Sequence, residues 1–97
     1  MATYVILSNF TDQGIKSVKD TVKRSEAVRE GARAAGITVK DILWTQGQYD
    51  VVLVLEAPDD AAVSTLMLSA ARLGNVRGQT LRAFTAGEMT KILEKVA

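Results

Sequence analysis

The chain has 97 residues, enough for one domain with one hydrophobic core and too few for a second, so residues 1–97 are treated as a single domain. With 47% hydrophobic and 24% charged residues, its composition is that of a globular protein rather than of a disordered segment. A formal net charge of +1 provides little attraction for nucleic acid or for an anionic membrane surface, so neither is an expected partner.

The chain contains neither cysteine nor histidine. Disulfides, zinc–thiolate sites, thiol nucleophiles, a histidine general base, a histidine haem ligand and a Ser-His-Asp triad are therefore excluded. No acidic cluster has the spacing of a calcium loop, and we expect no metal and no cofactor. No apolar run approaches the ~20 residues of a membrane helix, and the first residues lack the basic region of a signal peptide. The expected location is the cytoplasm.

The first predicted strand runs from Thr3 to Phe10 and is apolar on both parities before it ends in the polar pair Ser8 and Asn9. Asn9 has two interpretations. It is either a strand-end residue bonded to nearby backbone, or a side chain that points into a cleft at the open end of the sheet.

A helical segment follows, beginning near Thr11 or Asp12 and ending at Gly36, where a left-handed residue is favoured. Gly14 and the pair Asp20-Thr21 are weak helix formers, so a break or a short first piece is expected there. Apolar residues recur at helical spacing through the whole segment. The predicted apolar stripe consists of Ile15, Val18, Val22, Ala32 and Ala35.

A β-hairpin is predicted in the middle of the chain. Residues Ile37–Thr45 form a half-polar strand typical of a sheet edge, and the turn Gln46–Gln48 folds it back onto Val51–Leu55. The second of these strands has five consecutive apolar residues, so it is expected to be central and covered on both faces. Trp44 and Tyr49 flank the hairpin and are expected to lie within reach of each other.

The last third of the chain predicts a helix, a strand and a final helix. Asp59 is a good N-cap, and the helix that it opens ends at Gly74. Residues Val76–Phe84 are polar enough for the other edge strand. The segment Thr85–Glu88 has the form of a capping box and opens the final helix. The apolar positions of that helix are Met89, Ile92, Leu93 and Val96.

This order of elements predicts an α+β protein with the ferredoxin-like βαββαβ fold: a four-stranded antiparallel sheet, both main helices on one face, and an additional C-terminal helix. The two central strands are apolar on both parities, so the face without helices is too apolar to be left in water. A second copy of the chain would cover it, sheet against sheet. We therefore expect a homodimer, with a higher oligomer also open.

Five segments together span most of the chain: Leu7–Gly14, Gly47–Val52, Glu56–Asp60, Leu73–Arg77 and Thr80–Phe84. In these segments the sequence resembles the GYD domain family. One departure is that a glutamine stands between the glycine and the tyrosine, so the Gly-Tyr-Asp triplet is interrupted. The resemblance implies membership of the dimeric α+β barrels, in agreement with the expected dimer, and it implies no established activity.

A second, weaker similarity involves Thr45-x-Gly47-x-Tyr49-Asp50, Pro58-Asp59 and Gly74-x-Val76. These residues are similar to the effector-binding domains of the Lrp/AsnC-type bacterial regulators, which bind amino acids at subunit interfaces. No helix-turn-helix is predicted in these 97 residues, so we do not expect a regulator that acts directly on DNA. What this similarity implies is a small-ligand pocket near Gly47, Tyr49 and Asp50.

Tyr49 and Asp50 also have structural interpretations, in which Tyr49 packs on the sheet and Asp50 caps the turn. In the functional interpretation they help to line a pocket between helices and sheet, or at the dimer seam. Arg82 would provide an anion contact there, although an edge arginine is more often a surface ion-pair partner. The candidate ligand-binding residues are Asn9, Trp44, Gly47, Tyr49, Asp50 and Arg82.

Three functions stay open, ranked in this order: a small-molecule-binding or sensory module that acts as a homo-oligomer, a cofactor-independent enzyme resembling the monooxygenases and isomerases among the dimeric α+β barrels, and a purely structural assembly protein. Without histidine, acid–base catalysis would depend on Asp50, Glu56 or Tyr49. Asp50 and Glu56 lie roughly 20 Å apart along an extended strand and cannot act as a pair, which counts against an enzyme. No catalytic residue is assigned.

Overall fold

Four strands form one antiparallel sheet in the computed structural model, which describes residues 1–97. The strands are β1 (Ala2–Phe10), β2 (Thr38–Trp44), β3 (Val51–Ala57) and β4 (Val76–Ala83). Their order in the sheet is β2-β3-β1-β4, so the two strands with apolar residues on both parities are central. The half-polar strands β2 and β4 are the edges. This confirms the predicted ferredoxin-like sheet.

Four helices accompany the sheet: α1 (Asp12–Lys16), α2 (Thr21–Ala34), α3 (Asp60–Ala71) and α4 (Ala86–Leu93). The buried residues of α2 and α3 join those of β1 and β3 in one core cluster, so these two helices cover one face of the sheet. None of the helices has the length and apolarity that a bilayer-spanning segment requires.

The first helical segment is broken, as the weak helix formers predicted, because a 3₁₀ turn separates α1 from α2. The predicted apolar stripe is wrong in its first half. Ile15 and Val22 are 52% and 54% exposed, whereas Ala32 is fully buried. Ile15 lies before the 3₁₀ turn, whose three residues per repeat interrupt the 3.6-residue period, so it does not continue the face that α2 buries. Val22 lies within α2, but ten residues before Ala32, which places it about 80° around the helix from that buried side chain.

The caps predicted from the sequence are present. Asp59 Oδ1 accepts a hydrogen bond from the backbone N–H of Ala62 at 2.8 Å and so opens α3. Thr85 and Glu88 form the reciprocal capping box of α4, with bonds of 3.0 and 3.2 Å. Gly36 has a φ of 75°, the left-handed conformation that ends α2.

The strand register assigns each side chain to one face of the sheet. On the face covered by α2 and α3, which we call the helix face, Tyr4, Ile6 and Ser8 of β1 lie beside the buried odd-numbered residues of β3. We call the other face, which no helix covers, the open face. Its apolar residues are Val5, Leu7, Leu43, Val52, Val54 and Leu81.

Strand β2 is irregular near its start. Its register shifts between Val39 and Asp41, which marks a bulge at Lys40. The Lys40 ammonium forms an ion pair with Glu56 of β3 at 3.2 Å. The bulge and its ion pair therefore lie at the β2 edge of the sheet.

Candidate functional site

Asp50 connects the β2–β3 loop to the end of β1. Its Oδ2 accepts a hydrogen bond from the backbone N–H of Phe10 at 2.9 Å. Its own N–H donates to the carbonyl of Ser8 at 2.9 Å, and its carbonyl accepts from the N–H of Thr45 at the same distance. The carboxylate thus holds the point at which β1 leaves the sheet, which is a capping role. We refer to this end of the sheet as the Asp50 end.

Tyr49 and Asn9 border the open face at the Asp50 end. The Tyr49 hydroxyl accepts a hydrogen bond from Gln79 Nε2 at 2.7 Å, and Gln79 pairs with Leu7 on the open face. Asn9 lies on the same face, two residues after Leu7 along β1. These side chains therefore lie at the border of the open face and not in a cleft under the helices.

Trp44 lies on the helix face, where its Nε1 donates to Thr21 Oγ1 at 3.0 Å. The expected proximity of Trp44 and Tyr49 is wrong, because their hydrogen-bond partners lie on opposite faces of the sheet. Gly47, at the tip of the intervening loop, has a φ of 105° and open space around it. This positive φ favours a glycine at the position, because other residues rarely adopt it.

Arg82 lies at the opposite end of the sheet from Asp50. It pairs with Tyr4, five residues before Asn9 on β1, which corresponds to roughly 17 Å along the strand. Its guanidinium lies 4.6 Å from the ring centroid of Phe84 and 5.6 Å from that of Tyr4. It also forms an ion pair with Glu88 at 3.5 Å. Arg82 therefore acts as a packing and ion-pair residue between β4 and α4.

The six candidate residues consequently lie in separate places and do not line one pocket. Asn9, Tyr49 and Asp50 cluster at the Asp50 end, Trp44 faces α2, and Arg82 lies at the far end. A ligand-binding role for each of them stays a prediction. Four of them, Trp44, Tyr49, Asp50 and Arg82, have a structural partner that the sequence could not reveal, because each partner is distant along the chain.

Helix α4 is attached to the sheet through Glu88. The carboxylate accepts a hydrogen bond from the Thr85 N–H, which holds the pKa of Glu88 below its usual 4.5, and Arg82 adds to the effect. The helix has no buried residue. Its apolar residues are exposed, with Met89 at 45% and Leu93 at 57%. Val96, predicted as an apolar position of this helix, lies beyond its end at Leu93. An exposed apolar stripe without a partner is typical of a contact surface.

Sequence reasoning missed a set of contacts that joins α1 to the loop between α3 and β4. Thr11 donates from its N–H to the carbonyl of Asn75 at 3.1 Å and from its Oγ1 to the carbonyl of Gly74 at 2.5 Å. Gln13 Nε2 donates to Asn75 Oδ1 at 3.0 Å. Gly14 lies so close that a Cβ there would be 1.9 Å from the Asn75 carbonyl oxygen. These contacts join two of the segments that carry the family resemblance, Leu7–Gly14 and Leu73–Arg77. That resemblance was the sequence signal that could have indicated them.

A cavity of about 260 Å³ lies between α2 and α3, above the helix face, and opens to solvent. Arg24 is the only titratable residue in its lining, and Trp44 is the only candidate residue there. The rest of the lining is mainly apolar and includes Val28, Gly31, Ile42, Leu66 and Ala70. Elsewhere in the protein, no group of acidic side chains is arranged to hold a metal ion. The cavity is thus suited to binding an apolar molecule.

The hydrogen bond from the Tyr4 hydroxyl to the Asp60 carboxylate gives a pH-dependent prediction. This bond, with burial and the nearby carboxylates, raises the pKa of Tyr4 above 10.0. Because the neutral phenol is favoured in the folded chain, the bond stabilises the fold below the unfolded pKa of about 10. That stabilisation is lost as the pH rises through the folded pKa. In urea titrations above pH 10, we expect the free energy of unfolding to fall more steeply for the native protein than for Tyr4→Phe.

The control for this measurement is Tyr49→Phe, whose hydroxyl contacts an amide and no carboxylate. It should keep the native slope. Equal slopes for the native protein and Tyr4→Phe would contradict the assigned role of Asp60.

Comparison with known proteins gives two findings. The sequence pattern of the family described as the GYD domain matches residues 4–93. A protein of Thermus thermophilus named "Glutamine synthetase and cystathionine beta-lyase binding protein" is 36% identical over 90 residues, which cover 92% of this chain and 95% of that protein.

Proposed function

This chain belongs to the GYD domain family, and from that membership we propose that it is a binding module that acts by associating with other proteins, its own copies included. The relative from Thermus thermophilus is named for binding two enzymes, and the similarity extends over 95% of its length. The first partners that we propose for this chain are therefore the corresponding enzymes, glutamine synthetase and cystathionine beta-lyase.

The observation that carries the proposal is the uncovered apolar area of the open face. Leu43 and Leu81 on its outer strands are 55% and 42% exposed, and the central strands contribute further apolar side chains between them. Four strands of seven to nine residues give a sheet face of roughly 500 Å² in plan, and its apolar side chains lie on neighbouring strands within it. We propose that a second copy covers this face, sheet against sheet, to form a homodimer.

The exposed stripe of α4 is the surface that we propose for contact with a partner enzyme. Met89, Ile92 and Leu93 recur at the spacing of one helical face, and amphipathic helices commonly bind in grooves of other proteins. The capping box at Thr85 supports helix formation independently of packing.

The test measures binding of the purified chain to each enzyme by sedimentation velocity. We expect a complex with at least one enzyme, and Ile92→Asp should weaken it at least about tenfold, as substitution of a central interface residue does. Thr90→Asp places the same charge on the polar side of α4 and should bind like the native protein. If neither enzyme binds, the proposed partners are wrong, and equal binding by Ile92→Asp would exclude α4 as the contact surface.

Small-molecule binding is the second candidate function, and the cavity between α2 and α3 is the observation that favours it. The cavity lining contains no carboxylate and no tyrosine, so it provides neither member of an acid–base pair for an enzyme. A purely structural assembly role would need no occupant of the cavity.

A further inference from the structure

We propose that the cavity between α2 and α3 binds a small apolar carboxylic acid, with its hydrocarbon body against the helix face and its carboxylate at Arg24. This inference rests on the second candidate function, small-molecule binding, and is independent of the enzyme-binding role. Two observations carry it: the size and apolar lining of the cavity, and a guanidinium without an acidic partner in its wall.

The cavity is large for a space between packed elements. Native interiors contain few voids larger than a water molecule, whereas 260 Å³ equals the volume of roughly nine waters in the liquid. The floor is apolar, with Val51 and Leu53 of β3, and the walls are formed by side chains such as Val28 and Leu66. Water finds few partners in such a space, so an apolar body of roughly eight to ten non-hydrogen atoms fits it better.

Ser8 is the polar residue on the cavity floor and is only 7% exposed. Three further lining hydroxyls are bonded within the chain: Thr21 accepts from Trp44, Ser25 donates to Val22, and Ser69 donates to a carbonyl one turn earlier in α3. No buried side-chain nitrogen or oxygen of the protein lacks a hydrogen-bond partner. The floor therefore presents no unsatisfied polar group to a ligand, which leaves Arg24 as the polar contact.

Arg24 provides the charge at the cavity. Its Nη1 donates to the carbonyl and hydroxyl oxygens of Ser17 at 3.0 and 3.1 Å, and its Nη2 donates to the carbonyl of Gly14 at 3.2 Å. None of the ion pairs in the protein includes Arg24. A guanidinium has five N–H donors, so these three bonds orient it and leave two donors free. A half-buried cation beside an apolar space favours a carboxylate that extends from an apolar body.

The experiment compares octanoate with octan-1-ol, which have the same hydrocarbon chain with and without the charge, by isothermal titration calorimetry on the full chain. We expect the native protein to bind both, octanoate about tenfold more tightly or better. Arg24→Met should remove that advantage and leave the binding of octan-1-ol unchanged. Unchanged octanol binding also shows that the cavity survives the substitution.

Filling the cavity provides the second arm of the test. Ala70→Leu adds three carbons to its wall and should abolish binding of both probes without lowering the thermal stability of the empty protein. Ala61→Leu makes the same change on the exposed side of α3 and should bind like the native protein. Gly31→Leu, on the facing wall, keeps the test valid if Ala70→Leu does not fold.

Several results would overturn the inference. Failure of the native protein to bind either probe at millimolar concentration, or native-like binding by both cavity-filling variants, excludes the cavity as the site. Equal octanoate affinity in Arg24→Met excludes Arg24 as the carboxylate contact. The Ala70→Leu variant leaves α4 unchanged, so it should bind the enzymes as the native protein does. Failure of this proposal is therefore distinguishable from failure of the protein-binding role. Loss of enzyme binding in Ala70→Leu would instead indicate that a partner's side chain occupies the cavity.

Discussion

Replacement of Gly14 by alanine is expected to destabilise the protein by about 3 kcal/mol or more, a large part of the stability of a small domain. A Cβ at this position would lie 1.9 Å from the carbonyl oxygen of Asn75 and 2.8 Å from its carbonyl carbon. Both are backbone atoms, so no side-chain rotation can relieve the overlap. Either α1 or the α3–β4 loop must move, and the hydrogen bonds from Thr11 to that loop would be broken.

The measurement is the free energy of unfolding from urea titration followed by circular dichroism. Gly31→Ala is the matched control, because a Cβ there would lie 3.8 Å from Leu66 Cδ1, an ordinary contact. In the middle of α2 this substitution should stabilise the protein by about 0.5–1 kcal/mol. If Gly14→Ala stays within about 1 kcal/mol of the native protein, α1 is not docked on the loop as described.

The second large effect is expected for Val54→Glu, which should convert the proposed dimer into a monomer. Val54 lies on the open face of β3, one of the two central strands. In a face-to-face dimer the substitution would bury one carboxylate from each copy in the same interface. Like charges within an interface cost several kcal/mol, so the dissociation constant should increase by roughly a thousandfold or more.

Analytical ultracentrifugation at matched concentrations tests this result. Val22→Glu introduces the same side chain at the exposed beginning of α2, where Val22 is 54% exposed, and should leave the dimer intact. Circular dichroism of both variants establishes that each is folded. A dimeric Val54→Glu protein would show that the open face is not the interface, and a native protein that is monomeric at micromolar concentration would contradict the dimer itself.

The elements that could be predicted are those whose determinants are local. The left-handed Gly36, the N-cap Asp59 and the capping box Thr85–Glu88 each act within a few residues, and the structure contains all three. The continuous apolar run of β3 likewise predicted a central strand, because burial on both faces is a property of the strand itself.

The features that could not be predicted depend on how distant segments are placed. The capping role of Asp50 depends on Phe10, and the position of Arg82 at the far end depends on the β1–β4 register. Neither is encoded in a local pattern. The cavity depends on the separation of α2 and α3, which a hydrophobic period does not determine. Which of the six candidate site residues share a surface therefore could not be established from the sequence.

The bulge in β2 restricts how copies of this protein can assemble. A regular strand at a sheet edge invites a neighbouring chain to continue the sheet, and repetition of that step produces fibrils. Here Lys40 interrupts the hydrogen-bonding repeat of β2 and forms its ion pair with Glu56 beside the edge. A strand added there would have to bury charge and match an irregular repeat. Growth of one sheet through successive copies needs both of its edges and is thereby disfavoured, so closed assemblies are favoured over open ones.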